Sequence, residues 1–304
     1  MNFIQAMDLI KAEIRDSLKL RKTLVVWVVE QTPQSGALVN DASQQISRAM
    51  LASDGSKLNN LKMAVIGYAG AINLITPDPI GDANLLTNSL RPLKDKKGDT
   101  ANVFAALKMA VDKFLPYRDH GYEIVFVVVG ASSGDDLALA DDVIASLKSA
   151  EVPVFGIGPA VPFGLPINLA TAPKAQVAMA TAGDRPSESF APERILLALS
   201  GNETSGDLTD SGYGPFGLEW VCRLTDGKFL RLRGPRPTGW DIDPVTADIK
   251  SQLLDRYIPD YVDSQRYEQL LAENKCRLAL HNAAQLPPTE GLESVTVSFD
   301  KQKD

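Results

Sequence analysis

A run of six apolar residues, 24–29 (LVVWVV), stops at Glu30 and gives way to Thr32, Pro33, Gln34, Ser35 and Gly36. An uninterrupted apolar run bounded by turn residues is the pattern of a strand buried on both faces, which belongs to a parallel sheet covered by helices. In an open sheet of that kind, ligands bind in the crevice beyond the carboxyl ends of the strands. Glu30, Thr32 and Gln34 therefore stand where such a fold does its chemistry.

The same pattern predicts strands over 61–68, 71–76, 122–129, 152–157 and 228–232. Only Gly70 and its neighbours separate the second from the third, so these two form a hairpin that contributes one antiparallel strand. Helical spacing connects the others. Leu38, Val39, Ala42, Ile46, Ala49 and Met50 fall on one stripe; Val103, Phe104, Leu107, Val111 and Phe114 on another; Leu137, Ala140, Ile144 and Leu147 on a third. A short helix is expected over 85–90 and another over 216–224. Strands alternating with helices give a doubly wound α/β fold with a mostly parallel sheet. Gly98-Asp99-Thr100 reads as the start of the second helix, with Asp99 and Thr100 as caps.

Outside this core the pattern changes. Residues 1–20 form an amphipathic helix, with Phe3, Met7, Ile10, Ile14 and Leu18 on its apolar side. Residues 159–212, rich in Ala, Pro, Gly and Ser, make an irregular insert, with a hairpin at 167–181 and a short element at 194–199. Gly234-Pro235-Arg236-Pro237 is a linker. After it come a helix from Asp243-Pro244 to about 259 and a second from Asp263 or Ser264, whose apolar side carries Tyr267, Leu270, Leu271 and Leu278. Strand-like alternation at Val295, Val297 and Phe299 precedes a charged end. The expected organisation is thus a helix at 1–20, an α/β domain at 21–233, and a helical extension with tail at 234–304.

A net charge of −7 disfavours nucleic acid as a partner, because phosphate binding needs a basic face. No window reaches the roughly 18 apolar residues of a spanning helix, and the first 20 residues lack the basic start and apolar centre of a signal peptide. The default expectation is a soluble cytoplasmic protein, with the cell envelope as the alternative for a chain cut from an anchor. Two cysteines, Cys222 and Cys276, are too few for a disulfide framework or a zinc site. His120 and His281 have no ligand-type residue at metal spacing, and Cys222 within LEWVC reads as a small core residue. Asn202-Glu203-Thr204 is a glycosylation sequon by pattern only. Gly156-Ile157-Gly158 leads into Pro159 instead of a helix, so it is no dinucleotide fingerprint. Phosphate-loop and nucleophile-elbow motifs are missing as well.

Three segments converge at one end of the predicted sheet: 30–36, the 98–100 turn, and 130–136 (GASSGDD). This layout resembles the von Willebrand factor A (vWA) domain, in which an Asp-x-Ser-x-Ser motif, a Thr and a second Asp coordinate Mg²⁺ in a metal-ion-dependent adhesion site. Position by position, the first Asp falls on Glu30, the serines on Thr32 and Gln34, the Thr on Thr100 within GDTANVFAALKMA, and the second Asp on Ala131 beside Ser132. Only Thr100 matches outright. Mg²⁺ demands near-octahedral oxygen ligation at short range, so a longer acid, an amide and a missing carboxylate imply a degenerate site. SGYGPFGLEWVCRLTDGKFLRL (211–232) and YIPDYVDSQRYEQLLAENKCRLALHNAAQ (257–285) also resemble a bacterial group of vWA-like proteins without a defined function.

Glu30 retains two roles: cation ligand, or acceptor of backbone N–H bonds from the neighbouring loop or the Thr100 helix. Asp135 and Asp136 are expected to cap the helix that follows them, and Ser132 and Ser133 to be loop residues. The resemblance implies a non-catalytic, metal-independent module in which Glu30, Thr32, Gln34, Thr100, Ala131 and Ser132 face an unidentified protein partner. The alternative is a divalent-metal-dependent adhesion or chelatase-type module using Glu30, Thr32 and Thr100, with Asp99 or Asp135 recruited.

Overall fold

The computed structural model describes residues 1–14, 21–50, 60–95, 98–160, 213–232 and 261–284. In chain order the elements are α1 (Phe3–Glu13), β1 (Lys22–Glu30), α2 (Gly36–Gln45), β2 (Leu61–Ala69), β3 (Ala71–Leu74), α3 (Ala83–Ser89), α4 (Val103–Phe114), β4 (Tyr122–Val129), α5 (Ala140–Ser149), β5 (Val154–Pro159), α6 (Phe216–Leu224), β6 (Phe229–Leu232), α7 (Ser264–Glu273) and α8 (Lys275–Ala284). Six strands form one sheet in the order β3-β2-β1-β4-β5-β6. β3 pairs antiparallel with β2, and every other pairing is parallel. This is the doubly wound α/β topology that the vWA resemblance implies.

The two faces of the sheet explain why its central strands read as unbroken apolar runs. Leu24, Val26 and Val28 of β1 join Ile66, Phe126, Val128, Phe104, Leu107 and Phe114 in one core beneath α4, α5 and α6. Val25, Trp27 and Val29 face the opposite way, into a second core with Val39, Ala42, Ile46, Met63 and Val127. Burial of each such aliphatic side chain contributes about 1.5–3 kcal/mol, so exchanging the faces by a one-residue slip is strongly disfavoured. The amino-terminal helix belongs to this second core. Phe3, Ala6, Met7 and Ile10 of α1 are buried in it, and a reciprocal Asn2–Gln5 capping box starts the helix.

Three local expectations are corrected. First, the helix expected from Asp99 and Thr100 begins at Val103. The 98–102 segment is tied to two neighbours before it can turn: the Thr100 carbonyl accepts from Gly70 N–H at 2.8 Å, and the Ala101 carbonyl from Asp135 N–H at 2.7 Å. Second, Asp135 and Asp136 do not cap the helix that follows them. Their carboxylates reach the 101–105 backbone, and a 3₁₀ turn, Leu137–Leu139, precedes α5. Third, the single helix expected from 263 onward is two, because Asn274 is extended (φ −115°, ψ 98°) and its side chain accepts from Arg277 N–H.

The carboxyl-terminal helices dock through an aromatic stack. Phe216 stacks on Trp220 and on Tyr261, with centroids 5.6 and 5.8 Å apart, and the Arg223 guanidinium lies 5.0 Å from the Tyr261 ring. Trp220 Nε1 donates to the Val262 carbonyl at 2.8 Å. Burial, with the Glu219 charge beside it, pushes the Tyr261 hydroxyl well above its ordinary pKa. Cys222 is a buried core residue, whose thiol burial raises, and His281 meets the Tyr267 hydroxyl at 3.4 Å. Among the described residues, no helix is long and apolar enough to cross a membrane. The expected elements at 167–181, 194–199, 243–259 and 290–304 lie outside the described residues.

Candidate functional site

Strand register sets the centre of the site. Glu30 pairs with Tyr68 of β2, and Val29 pairs with Val129 of β4, so Tyr68, Glu30 and Gly130 form one row across three strands. In that row Gly130 has no side chain, and its two neighbours lean over it. The place a Gly130 Cβ would take lies 2.7 Å from Tyr68 Oη, 2.9 Å from Glu30 Oε2 and 3.3 Å from Leu218 Cδ1. A glycine is required here for close approach, not for backbone conformation.

Glu30 is 1% exposed, and both of its carboxylate oxygens accept hydrogen bonds. Thr32 Oγ1 donates to Oε1 at 2.5 Å. The backbone N–H groups of Ala131 and Ser132 donate to Oε2 at 2.8 and 3.2 Å. A buried carboxylate is costly unless its oxygens are paired, and three donors of this kind are the charge-assisted bonds that compensate it. Of the two roles left open for Glu30, the geometry is that of an acceptor for the 130–136 loop. The single hydroxyl hydrogen of Ser35, fully buried, is shared between the Glu30 and Thr32 carbonyls, 2.8 and 2.9 Å from Oγ, and closes the turn after β1.

Two further carboxylates stitch the loops together. Asp135 Oδ2 accepts from Ala101 N–H at 2.6 Å, while Asp135 N–H donates back to the Ala101 carbonyl. Asp136 accepts from Phe104 N–H at 3.2 Å and Ala105 N–H at 2.7 Å, capping α4 from a different segment of chain. Burial raises the Asp136 pKa, the backbone N–H groups of Ala105, Phe104 and Asp136 itself oppose the rise, and the Asp135 charge adds to it. Tyr68 Oη is fully buried and makes no hydrogen bond among the described residues. Burial, and then the nearby Glu30 and Asp136 charges, hold its pKa well above the usual phenol value. Behind the loop, α6 packs so closely that a Cβ on Gly217 would meet the Ser133 carbonyl at 1.9 Å.

The structure thus brings Glu30, Thr32, Ala131 and Ser132 into one hydrogen-bonded cluster. Thr100 is exposed on the adjoining 98–102 segment, and its backbone carbonyl accepts from Gly70 N–H, outside the cluster. Gln34 lies in the 3₁₀ turn Pro33–Ser35. Sequence reasoning missed Ser35, Tyr68 and Gln31. Gln31 Nε2 faces the carbonyls of Pro92, Leu93 and Asp95 at 3.0–3.1 Å and fixes that turn against the end of β1. Its one sequence signal was its place immediately after the strand.

A hard dication is held by oxygens converging on one point; here both oxygens of Glu30 accept hydrogen bonds, and Ala131 supplies an N–H where the vWA pattern has a carboxylate. Among the described residues, no group of three or more His, Cys, Asp or Glu side chains could hold a metal ion.

No protein-family model matches the chain, and no curated protein matches it. Solved structures similar to it include an aerotolerance-related membrane protein from Bacteroides fragilis NCTC 9343 carrying multiple mutations to serines. That structure has 16% identity and a TM-score of 0.42, with 75% of this chain and 96% of that one covered. BatB from Bacteroides thetaiotaomicron, a conserved hypothetical protein, has 14% identity and a TM-score of 0.41 over 77% and 98%. The vWF domain of the type V pili tip protein Mfa5 from Porphyromonas gingivalis has 14% identity and a TM-score of 0.27 over 37% and 38%. The described topology by itself makes the chain a doubly wound α/β protein with a mostly parallel sheet and one antiparallel edge strand.

Proposed function

We propose that this chain is a non-catalytic protein-interaction module that presents the carboxyl end of its sheet to a partner without a bridging cation. The observation that carries the reading is the closed state of Glu30, whose two oxygens are occupied by Thr32, Ala131 and Ser132. A carboxylate used in this way holds loops in place, with each of its oxygens already accepting from a protein donor. The contact surface comprises the exposed Pro33, Asp99 and Thr100 with the half-buried Asn102, Ala131 and Ser132, recognised by shape and hydrogen bonds. The non-catalytic part rests on chemistry: the buried carboxylates are spent on backbone N–H groups, and the two histidines lie on other elements.

The test is thermal unfolding with Mg²⁺ or Mn²⁺ at millimolar concentration against NaCl of matched ionic strength. A ligand of the native state must stabilise it, so the expected result is the same midpoint in both. A marked rise with the dication, lost in Glu30→Ala, would establish the metal-dependent adhesion or chelatase-type reading instead. Turnover in a broad substrate screen, abolished by changing Glu30, would overturn the non-catalytic part.

A further inference from the structure

At the opposite, amino-terminal rim of the sheet, two lysines converge on one aromatic ring. Lys22 Nζ lies 5.8 Å and Lys62 Nζ 5.5 Å from the centroid of Tyr122. Lys22 is directly paired with Tyr122, whereas Lys62 sits two strands away on β2 and reaches across β1. Each ammonium is attracted by the ring quadrupole, yet the two repel each other. Among the described residues neither forms an ion pair; the nearby Glu123 lies 3.8 Å from Arg21, whose side chain is 72% exposed. Tyr117, 6.1 Å from Tyr122 in an edge contact, supports the ring from behind, with His120 beyond it at 5.9 Å. Among the described residues the result is a pair of positive charges over one ring with no ion-pair partner, on a chain whose net charge is −7.

We infer that this rim binds an acidic peptide segment of a partner protein, its carboxylates meeting Lys22 and Lys62 and its backbone lying on the Tyr122 ring and the lysine stems. Charge complementarity selects the partner. A long polyanion such as a nucleic acid, or an anionic membrane, senses the whole negative molecule and is repelled. A short acidic segment interacts within a Debye length of about 8–10 Å and senses the local cations. Holding both ammonium groups over one ring lowers the side-chain entropy that an exposed ion pair ordinarily loses. The rim lies at the other end of the strands from Glu30, so a partner there leaves the carboxyl-end surface free.

The probe is a fluorescein-labelled hexaglutamate peptide, titrated at low ionic strength and followed by anisotropy. Saturable binding is expected, weakening steeply with added salt. The double variant Lys22→Gln/Lys62→Gln, which keeps part of each apolar stem, should lose at least about fivefold in affinity, as expected for two exposed ion pairs. Tyr122→Leu should also weaken binding, while Lys275→Gln, at an exposed lysine of α8, should leave it unchanged, which separates this site from a general effect of net charge. The inference is overturned by absence of saturable binding, by equal affinity in the folded double variant, or by tighter lysine-dependent binding of single-stranded DNA or phosphatidylserine vesicles.

Discussion

The backbone N–H of Ala131 donates to Glu30 Oε2 at 2.8 Å, across 101 positions of sequence. Where the vWA resemblance implies a second acid, this chain has a peptide donor, and the neighbouring carboxylate accepts its hydrogen. Glu30→Gln tests that relationship. The amide oxygen can keep the Ala131 and Ser132 N–H bonds while its NH₂ turns to the Thr32 hydroxyl, which then accepts and must redirect its own hydrogen. A loss of about 1–3 kcal/mol is expected as three charge-assisted bonds become neutral ones and the hydroxyl is re-aimed. Thr32→Val removes one bond to a charged acceptor, with an expected loss of about 1.5–3 kcal/mol. Urea midpoints measure both, and a neutral Glu30→Gln would sink the account of the site.

Gly130 and Tyr68 make a coupled pair. Gly130→Ala places a methyl group within 3 Å of Tyr68 Oη and Glu30 Oε2, and overpacking of this kind costs about 1–3 kcal/mol. Tyr68→Phe removes a buried hydroxyl that makes no hydrogen bond among the described residues, so it should be neutral or slightly stabilising. Combined, the two changes should cost less than their sum by about 0.5 kcal/mol or more. Strict additivity in the double-mutant cycle would show that the hydroxyl does not crowd this position.

Asp136 gives a pH dependence of defined sign. Burial raises its pKa above the ordinary 3.8, so the folded chain holds this proton more tightly than the unfolded chain. Stability falls as pH rises wherever the native state binds more protons. The contribution of Asp136 is therefore most favourable below pH 3.8 and declines as pH rises through its higher folded value. Asp136→Asn removes the titration. The melting temperature of the wild type, measured relative to this variant, should drop across that interval; a rise would mean that the backbone bonds from Phe104 and Ala105 outweigh burial.

Docking of the carboxyl-terminal helices should depend on Trp220. In Trp220→Phe the Val262 carbonyl loses its indole partner and the stack on Phe216 shrinks, with an expected cost of about 1–3 kcal/mol. Limited trypsin digestion reads this locally: cleavage at Arg266 and Arg277 should become faster than cleavage within the sheet. An unchanged digestion pattern would show that α7 and α8 dock independently of α6.

The amino-acid sequence by itself determined the strands of the core and the α/β class, because these follow from local periodicity, run length and flanking turn residues. The 24–29 run and the Tyr122–Val129 run read as strands covered on both sides, and they are; which side chain enters which core came from the structure. What the polar residues do was decided by tertiary structure alone. Asp135 and Asp136 look like caps for their own helix, yet they bond Ala101, Phe104 and Ala105; Asp99 and Thr100 look like a helix start, yet α4 begins at Val103. Glu30 has the same carboxylate whether it serves an ion or a loop. Only the register of β1 against β4, which carries Gly130 and the Ala131 N–H alongside it, settles which donors it meets, and no local pattern in the chain encodes a distance between residues so far apart in sequence.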